Sequence, residues 1–358
     1  MKKTVFLFGA LSALLLTACN GGSNNSNTQD EPQEDENEVS VFVLSGQSNM
    51  EGNTKWQNNI DTAFQELGLD DVDVVKNGMP EVQTSFFGVG YGELFKRNGS
   101  NYVLDEDYTQ VHSSYNTNNK EADKGKILGK FMDTKVGMGF SDSQMGPELG
   151  AAYVLRNHAT AEKPIYFIKC AFSGSGFAQS GGNAINWNIE DQPNNLFKDY
   201  LVPYVNNNLK LIEDEGFKPV IKGWLWHQGE SDTATEKITA YPERLGKMIN
   251  AFRDEFADYA KDEDGENIAF IDGMIYQGSG TAWGAQTSVQ MNETKKAFAE
   301  SDDVPNTYLV DNYGNLEHVA ENELKPGNPG GDNMHYCTKD SFRLGMGYAN
   351  VIIDNDLL

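Results

Sequence analysis

Basic residues are scarce in this chain. Its 358 residues include 28 Lys and Arg against 53 Asp and Glu, a formal net charge of −25. Nothing in it could supply the cationic stripe that a phosphate backbone requires, so nucleic acid is not expected as a partner. A neutral substrate suits such a surface better than a polyanion. Cysteine is nearly absent: Cys19, Cys170 and Cys337 are the full set. There is no Cys-x-x-Cys and no pair of histidines at i, i+4. Metal-ligand spacing is therefore missing, and neither a metal nor a cofactor is expected. The most apolar stretch, "TVFLFGALSALLL", is too short to span a bilayer as a mature helix.

That stretch follows "MKK" and ends in "LTAC", the n-region, h-region and cleavage pattern of an export signal. With cysteine at the cleavage position, Leu16-Thr17-Ala18-Cys19 resembles the bacterial lipobox. It implies a signal peptide over 1–18 and lipidation of Cys19, hence an exported lipoprotein held to a membrane of the cell envelope. Residues 20–38, "NGGSNNSNTQDEPQEDENE", offer nothing to bury and read, with Cys19, as a flexible tether over 19–38. Export permits Cys170 and Cys337 to bond, but spacing alone leaves that pair open.

From Val39 to Leu358 the chain reads as one domain. Five apolar runs have the length and composition of buried strands: 39–44, 164–171, 219–226, 267–276 and 307–312. Amphipathic stretches at 146–159, 195–216, 241–260, 285–301 and 339–353 alternate with them, and Pro203 should kink or split the second. Strands alternating with helices predict a three-layer α/β/α sandwich around a five-stranded parallel sheet. Residues 53–145 break the rhythm. They read as a long polar insertion, with 97–126 expected as a rim over the sheet's carboxyl edge.

Ligands of open α/β sheets sit at the carboxyl ends of strands. The first strand delivers "SGQSN" with Ser48, the second "AFSGSG" and the third "HQGESD". The loop after the fifth ends in "GGDNMHY". A hydroxyl, free backbone amides, a side-chain amide and an Asp-x-x-His are together the parts of acyl transfer. Ser48 would attack, His335 would be the base and Asp332 would orient it. The oxyanion donors would be the Ser48 and Gly174 N–H groups and the Gln228 amide. Met50 replaces the second glycine of G-x-S-x-G, so this is not the α/β-hydrolase elbow. Among five histidines, His227 is the rival base, with Glu230 three residues on. Its place at a strand end suits a supporting role at least as well. Glu230 would orient His335 or the loop carrying Gln228. His112, His158 and His318 stand apart from any strand end. Of the tryptophans, Trp187 is the better candidate for a sugar-stacking rim and Trp226 for the core.

"GQSNM", "GPELG", "SGSG", "WHQGESD" and "DNMHY" resemble, in order and context, the blocks of the SGNH-type hydrolases. More narrowly they are similar to the sialate O-acetylesterase-like group that includes acetylxylan esterases of carbohydrate esterase family six. The resemblance runs from Val41 to about Ala349. It implies a flavodoxin-like sandwich and a metal-independent serine esterase that removes O-acetyl groups from sugars. It puts the nucleophile on Ser48, the base on His335, the acid on Asp332, and the oxyanion groups on Gly174 and Gln228, flanked by Gln47 and Asn49. One block departs: Ser173-Gly174-Ser175 stands where the group usually has Gly-Gly followed by Ser or Thr. Gly174 and Gly176 therefore both remain candidates for the donor. Acetylxylan and acetylated sialic acid stay open as substrates. A non-catalytic carbohydrate-binding lipoprotein and a lipase or thioesterase are the rival functions. The intact Ser48, Asp332, His335 and Gln228 speak against the first, and the polar insertion against the second.

Overall fold

The computed structural model describes residues 37–88, 95–98, 101–104, 129–177, 186–190, 195–261, 264–277, 284–311 and 334–358. Its centre is a sheet of seven strands: β1 (Glu38–Gly46), β2 (Met79–Gly88), β3 (Met132–Thr134), β4 (Ile165–Ala171), β5 (Lys218–His227), β6 (Ala269–Gly273) and β7 (Thr307–Val310). The order across it is β7-β6-β5-β1-β4-β2-β3. All neighbours are parallel except β3, which runs antiparallel to β2 at one edge.

The five expected strands are present, but the expected count is corrected to seven. Both additional strands come from the interval read as a polar insertion, which also contributes α2 (Ile60–Leu67) and α3 (Val72–Asn77). Hydroxyl residues hide β2 from a hydrophobicity reading. Thr84 and Ser85 are fully buried, yet Thr84 meets Thr134 at 2.7 Å and Ser85 meets Tyr204 at 2.6 Å. A buried hydroxyl costs little once it is paired. Of the expected rim at 97–126, only 97–98 and 101–104 are described. They belong to a two-stranded antiparallel ladder of Phe95–Asn98 with Asn101–Leu104.

Helices cover both faces because β1 buries both sides of its pleat. Val39, Val41 and Val43 enter one core with α5 (Val202–Asp214), α6 (Thr235–Glu255) and Met291 and Phe298 of α7 (Ala285–Ala299). Phe42 and Leu44 point the other way. They pack in the core formed with α2, α3, α4 (Glu148–Leu155) and α8 (Thr338–Asp354). Pro203 splits its segment as expected: a π-turn over Phe197–Leu201 gives way to α5, with the proline in the first turn. Pro242, by contrast, lies inside α6, so that helix begins at Thr235, earlier than the sequence suggests.

β1 has β4 on one side and β5 on the other, each reached by a separate crossover. The crevice beyond its carboxyl end is therefore the topological switch point, where open α/β sheets bind ligands. Gly46 stands level with Ala171 of β4 and His227 of β5. The "SGQSN", "AFSGSG" and "HQGESD" turns thus leave the sheet side by side.

Candidate active site

Gly46 makes the first turn possible. Its φ is +144°, and a Cβ there would lie 2.0 Å from the His227 carbonyl oxygen. Glycine alone tolerates both. The backbone then crosses between its neighbours: Gln47 N–H donates to His227 O (3.0 Å), and Phe172 N–H donates to Gly46 O (3.0 Å). Ser48 follows as the first residue of the one-turn helix α1 (Ser48–Glu51), with only 7% of its surface exposed.

Gln47 ties this turn to the β5 loop, since its Oε1 accepts from Gln228 Nε2 (3.2 Å) and from Ser231 N–H (3.2 Å). The Gln228 amide also reaches Ser175 O (3.3 Å) and Asp232 Oδ2 (2.9 Å), so it is turned into the protein and fully buried. Turning it over would set its carbonyl among three acceptors, which fixes the orientation. Asp232 receives Phe177 N–H as well (2.8 Å). Burial holds its carboxyl above the usual range against those hydrogen bonds.

The glycine turn separates its two candidates. Gly174 is exposed, with φ +70°, and among the described residues none accepts from its N–H. Gly176 is buried, and a Cβ there would meet Asp232 Oδ2 at 2.7 Å. Of the two, Gly174 is the one with surface open to solvent. The turn is fastened to α1: Glu51 Oε2 accepts from both the N–H (2.9 Å) and the hydroxyl of Ser173. Asn53 Nδ2 bridges Ser173 Oγ (3.0 Å) and Ser48 O (3.1 Å). Below α1, the buried Lys169 donates to Glu51 O (3.1 Å) and Met138 O (2.6 Å) and pairs with Glu148 Oε2 (3.0 Å). Burial lowers the Lys169 pKa, opposed by Glu148 and Glu51.

His335 is half-buried, and the residues on either side of it are gripped by Asn49. The Asn49 amide donates to Met334 O (3.3 Å), while its carbonyl accepts from Tyr336 N–H (3.3 Å). Tyr336 is anchored twice more, by Thr54 Oγ1 on its carbonyl (3.0 Å) and by His227 Nε2 at its hydroxyl (2.9 Å). The segment beside Ser48 thus holds the segment carrying His335. Asp332 lies outside the described residues, as do His112 and His318.

His227 is fully buried between Tyr336 and Glu230, whose Oε1 lies 3.6 Å away. With no exposed surface it has no path to a substrate, so its place is in the scaffold. Glu230 Oε1 also accepts from Asn49 Nδ2 (2.7 Å). Burial pushes the Glu230 carboxyl up, but His227 and Asn49 more than offset it, and the net direction is down. The rim role expected of Trp187 is corrected: it is fully buried, edge-on to Phe172 and Trp226, with Nε1 donating to Ser175 Oγ (2.7 Å). Its ring fills the core under the glycine turn. Cys170 and Cys337 are both free thiols, which closes the question of their pairing.

Glu51, Asn53, Lys169 and Tyr336 are absent from the residues the sequence singles out, and Ser173 figures there only as the departure from Gly-Gly. Charged and amide side chains near a turn ordinarily face water, and nothing in their spacing announces burial.

Two comparisons place this architecture among known proteins. The model of the family described as carbohydrate esterase, sialic acid-specific acetylesterase, matches residues 128–354. The chain belongs to that family, and it is a carbohydrate esterase. Among solved structures, NanS aligns at 12% identity over 89% of this chain and 98% of its own, with a TM-score of 0.54, which speaks to the fold. A protein from Arabidopsis thaliana aligns at 16% identity over 88% of this chain and 98% of its own (TM-score 0.49). A carbohydrate acetylesterase from Xanthomonas citri aligns at 16% identity over 88% of this chain and 57% of its own (TM-score 0.45). No curated protein matches the chain.

Proposed function

We propose that the chain is an SGNH-type serine esterase that removes O-acetyl groups from a glycan through an acetyl-enzyme, with Ser48 as nucleophile and His335 as base. The supporting observation is the Asn49 clamp: the residue next to Ser48 binds both neighbours of His335. In this reading Ser48 Oγ attacks the acetyl carbonyl carbon while its proton passes to His335. Asp332 holds the imidazole tautomer. The Ser48 and Gly174 N–H groups receive the negative charge on the carbonyl oxygen. The Gln228 amide, fully buried on three acceptors, supports this pair from beneath, through Gln47 beside Ser48 and through the carbonyl of Ser175 beside Gly174. The tetrahedral intermediate then expels the sugar oxygen, which takes the proton from His335. Water, deprotonated by His335, releases acetate and restores Ser48.

Acetylated xylan or a similar neutral hemicellulose is the preferred substrate, given the net charge of −25. Acetylated sialic acid is the second reading, favoured by the family's own description. The lipobox-like Leu16–Cys19 supports a lipid anchor in the cell envelope, and Cys19→Ser should then release the protein from the membrane fraction.

The test is acetate release from an aryl acetate, acetylated xylan and O-acetylated sialosides, by the purified protein and Ser48→Ala. Turnover by wild type alone supports the nucleophile, and the better glycan names the substrate. Equal turnover by the two proteins, or none by folded wild type, overturns the reading. A purely carbohydrate-binding protein would then be favoured.

A further inference from the structure

Among the buried acids that the proposed mechanism leaves unused, Glu51 stands nearest the nucleophile in the chain. Glu51 ends the helix that Ser48 begins and is only 4% exposed. Its carboxylate is aimed at Ser173, the residue before Gly174, and not at the substrate side of Ser48. One oxygen, Oε2, takes both the backbone N–H and the hydroxyl of Ser173. Asn53 adds a second strap between Ser173 Oγ and Ser48 O. Lys169 pins the backbone of Glu51 from below and sits against Glu148, which limits the net negative charge under the crevice.

We infer that Glu51 is a positioning residue for the oxyanion hole, acting on Gly174 through the Ser173 hydroxyl. This rests on the proposed roles of Ser48 and Gly174. The two oxyanion donors come from different strand ends, so their separation is a tertiary distance that thermal motion would blur. Glu51 and Asn53 convert it into a local one, because both belong to the segment that carries Ser48. The Gly174 N–H therefore moves with the nucleophile. A carboxylate suits the task, since charge-assisted hydrogen bonds are the stronger kind. Gly174 itself has no side chain to be held by. Ser175 closes the far side of its left-handed turn onto Phe172 O, so the Ser173 side is where α1 can act on it. The Ser173 hydroxyl is the handle, at the position where this chain departs from the Gly-Gly of the group it resembles.

Such a role predicts a loss confined to the transition state. Ser173→Ala keeps the backbone contact to Glu51 and removes only the handle. It should lower kcat by roughly 10- to 100-fold with KM nearly unchanged, as misplacement of a donor does. Glu51→Gln, which keeps an acceptor oxygen without the charge, should fall in the same range. The double variant should be no slower than the slower single one, because both break one link. Ser173→Thr should restore most of the rate. Affinity for a small alkylboronic acid, whose tetrahedral oxygen occupies the oxyanion position, should weaken in parallel with kcat/KM.

The full-length protein is used throughout, with Ser48→Ala beside it and thermal melting of each variant. If Ser48→Ala is inactive while folded Ser173→Ala and Glu51→Gln keep wild-type kcat and boronate affinity, the inference fails and the nucleophile assignment survives. Losses that multiply in the double variant, or a rise in KM without a fall in kcat, also overturn it. Should Glu51→Gln fail to fold, Ser173→Ala and Ser173→Thr decide alone. Full activity in Ser48→Ala overturns the proposed function itself.

Discussion

Asn49 and Glu230 meet at 2.7 Å inside the protein, 181 positions apart in the chain, and the amide that reaches Glu230 also holds the loop of His335. Removing it should cost twice over. Asn49→Ala leaves the buried Glu230 carboxylate short of a donor and Tyr336 N–H short of an acceptor, a destabilisation of about 1–3 kcal/mol. It also frees the His335 segment, so kcat should fall by roughly 10- to 100-fold. Urea unfolding and steady-state kinetics on the same samples check both. Full activity with lowered stability would reduce Asn49 to a structural bond.

The turn before Ser48 should tolerate no side chain. Gly46→Ala sets a methyl 2.0 Å from a backbone oxygen at φ +144°, so both sterics and conformation oppose it. About 1–3 kcal/mol of strain is expected from the backbone alone. Whatever folds should have lost esterase activity, because the strand end can no longer aim Ser48 between β4 and β5. A variant with unchanged melting temperature and rate would disprove the fit.

The sequence reveals this crevice better than its support. The strand ends that precede Ser48, Gly174 and Gln228 are legible because each is an apolar run that stops at small or polar residues. Adjacency of the three ends is not legible, since register depends on pairings between distant residues. β2 is missed because its buried Thr84 and Ser85 find hydroxyl partners in Thr134 and Tyr204 without looking apolar. Trp187 is misread for the opposite reason: a polar sequence context, "AINWN", surrounds a ring that packs wholly inward.

Midway along β5, Lys222 offers a pH-dependent signature. Burial, together with the neighbouring Lys261, lowers its pKa to about 8, although Glu38 lies 3.3 Å away and opposes the shift. In the unfolded chain this lysine titrates near its ordinary value of about 10.4. Below pH 8 both states hold the proton, and the folded state bears the full cost of the buried charge. Between pH 8 and about 10 the unfolded state binds more protons, so this group's contribution to stability rises with pH. Lys222→Met should stabilise the protein more at pH 7 than at pH 10. Urea midpoints at the two values measure the difference, and an equal shift at both would reject the assignment.

Both described cysteines should be silent toward thiol reagents. Cys170 is fully buried, and burial raises its thiol pKa well above the ordinary value. Cys337 is pushed up to about 12 by burial and by Asp340, whose carboxylate accepts from its Sγ at 3.1 Å. Thiolate is the reacting form, so at pH 8 neither should be modified at an appreciable rate. Labelling with an aromatic disulfide should find neither in the native protein and both after denaturation. Fast native labelling of Cys337 would show that the start of α8 opens.

The Lys169–Glu148 pair beneath α1 should behave as a buried ion pair whose halves are worth little apart. Lys169→Met leaves Glu148 charged and fully buried with Gly146 N–H as its remaining partner. A loss of about 3–5 kcal/mol is expected, and Glu148→Gln should lose a similar amount by stranding the cation. The double variant removes both charges at once, so its loss should fall short of the sum by about 1–3 kcal/mol. Because Lys169 also grips the carbonyl of Glu51, variants without it should lose kcat even where they remain folded. Additive losses in the cycle would mean that the two side chains stabilise the turn independently, and the ion pair would then not be what supports Ser48 from below.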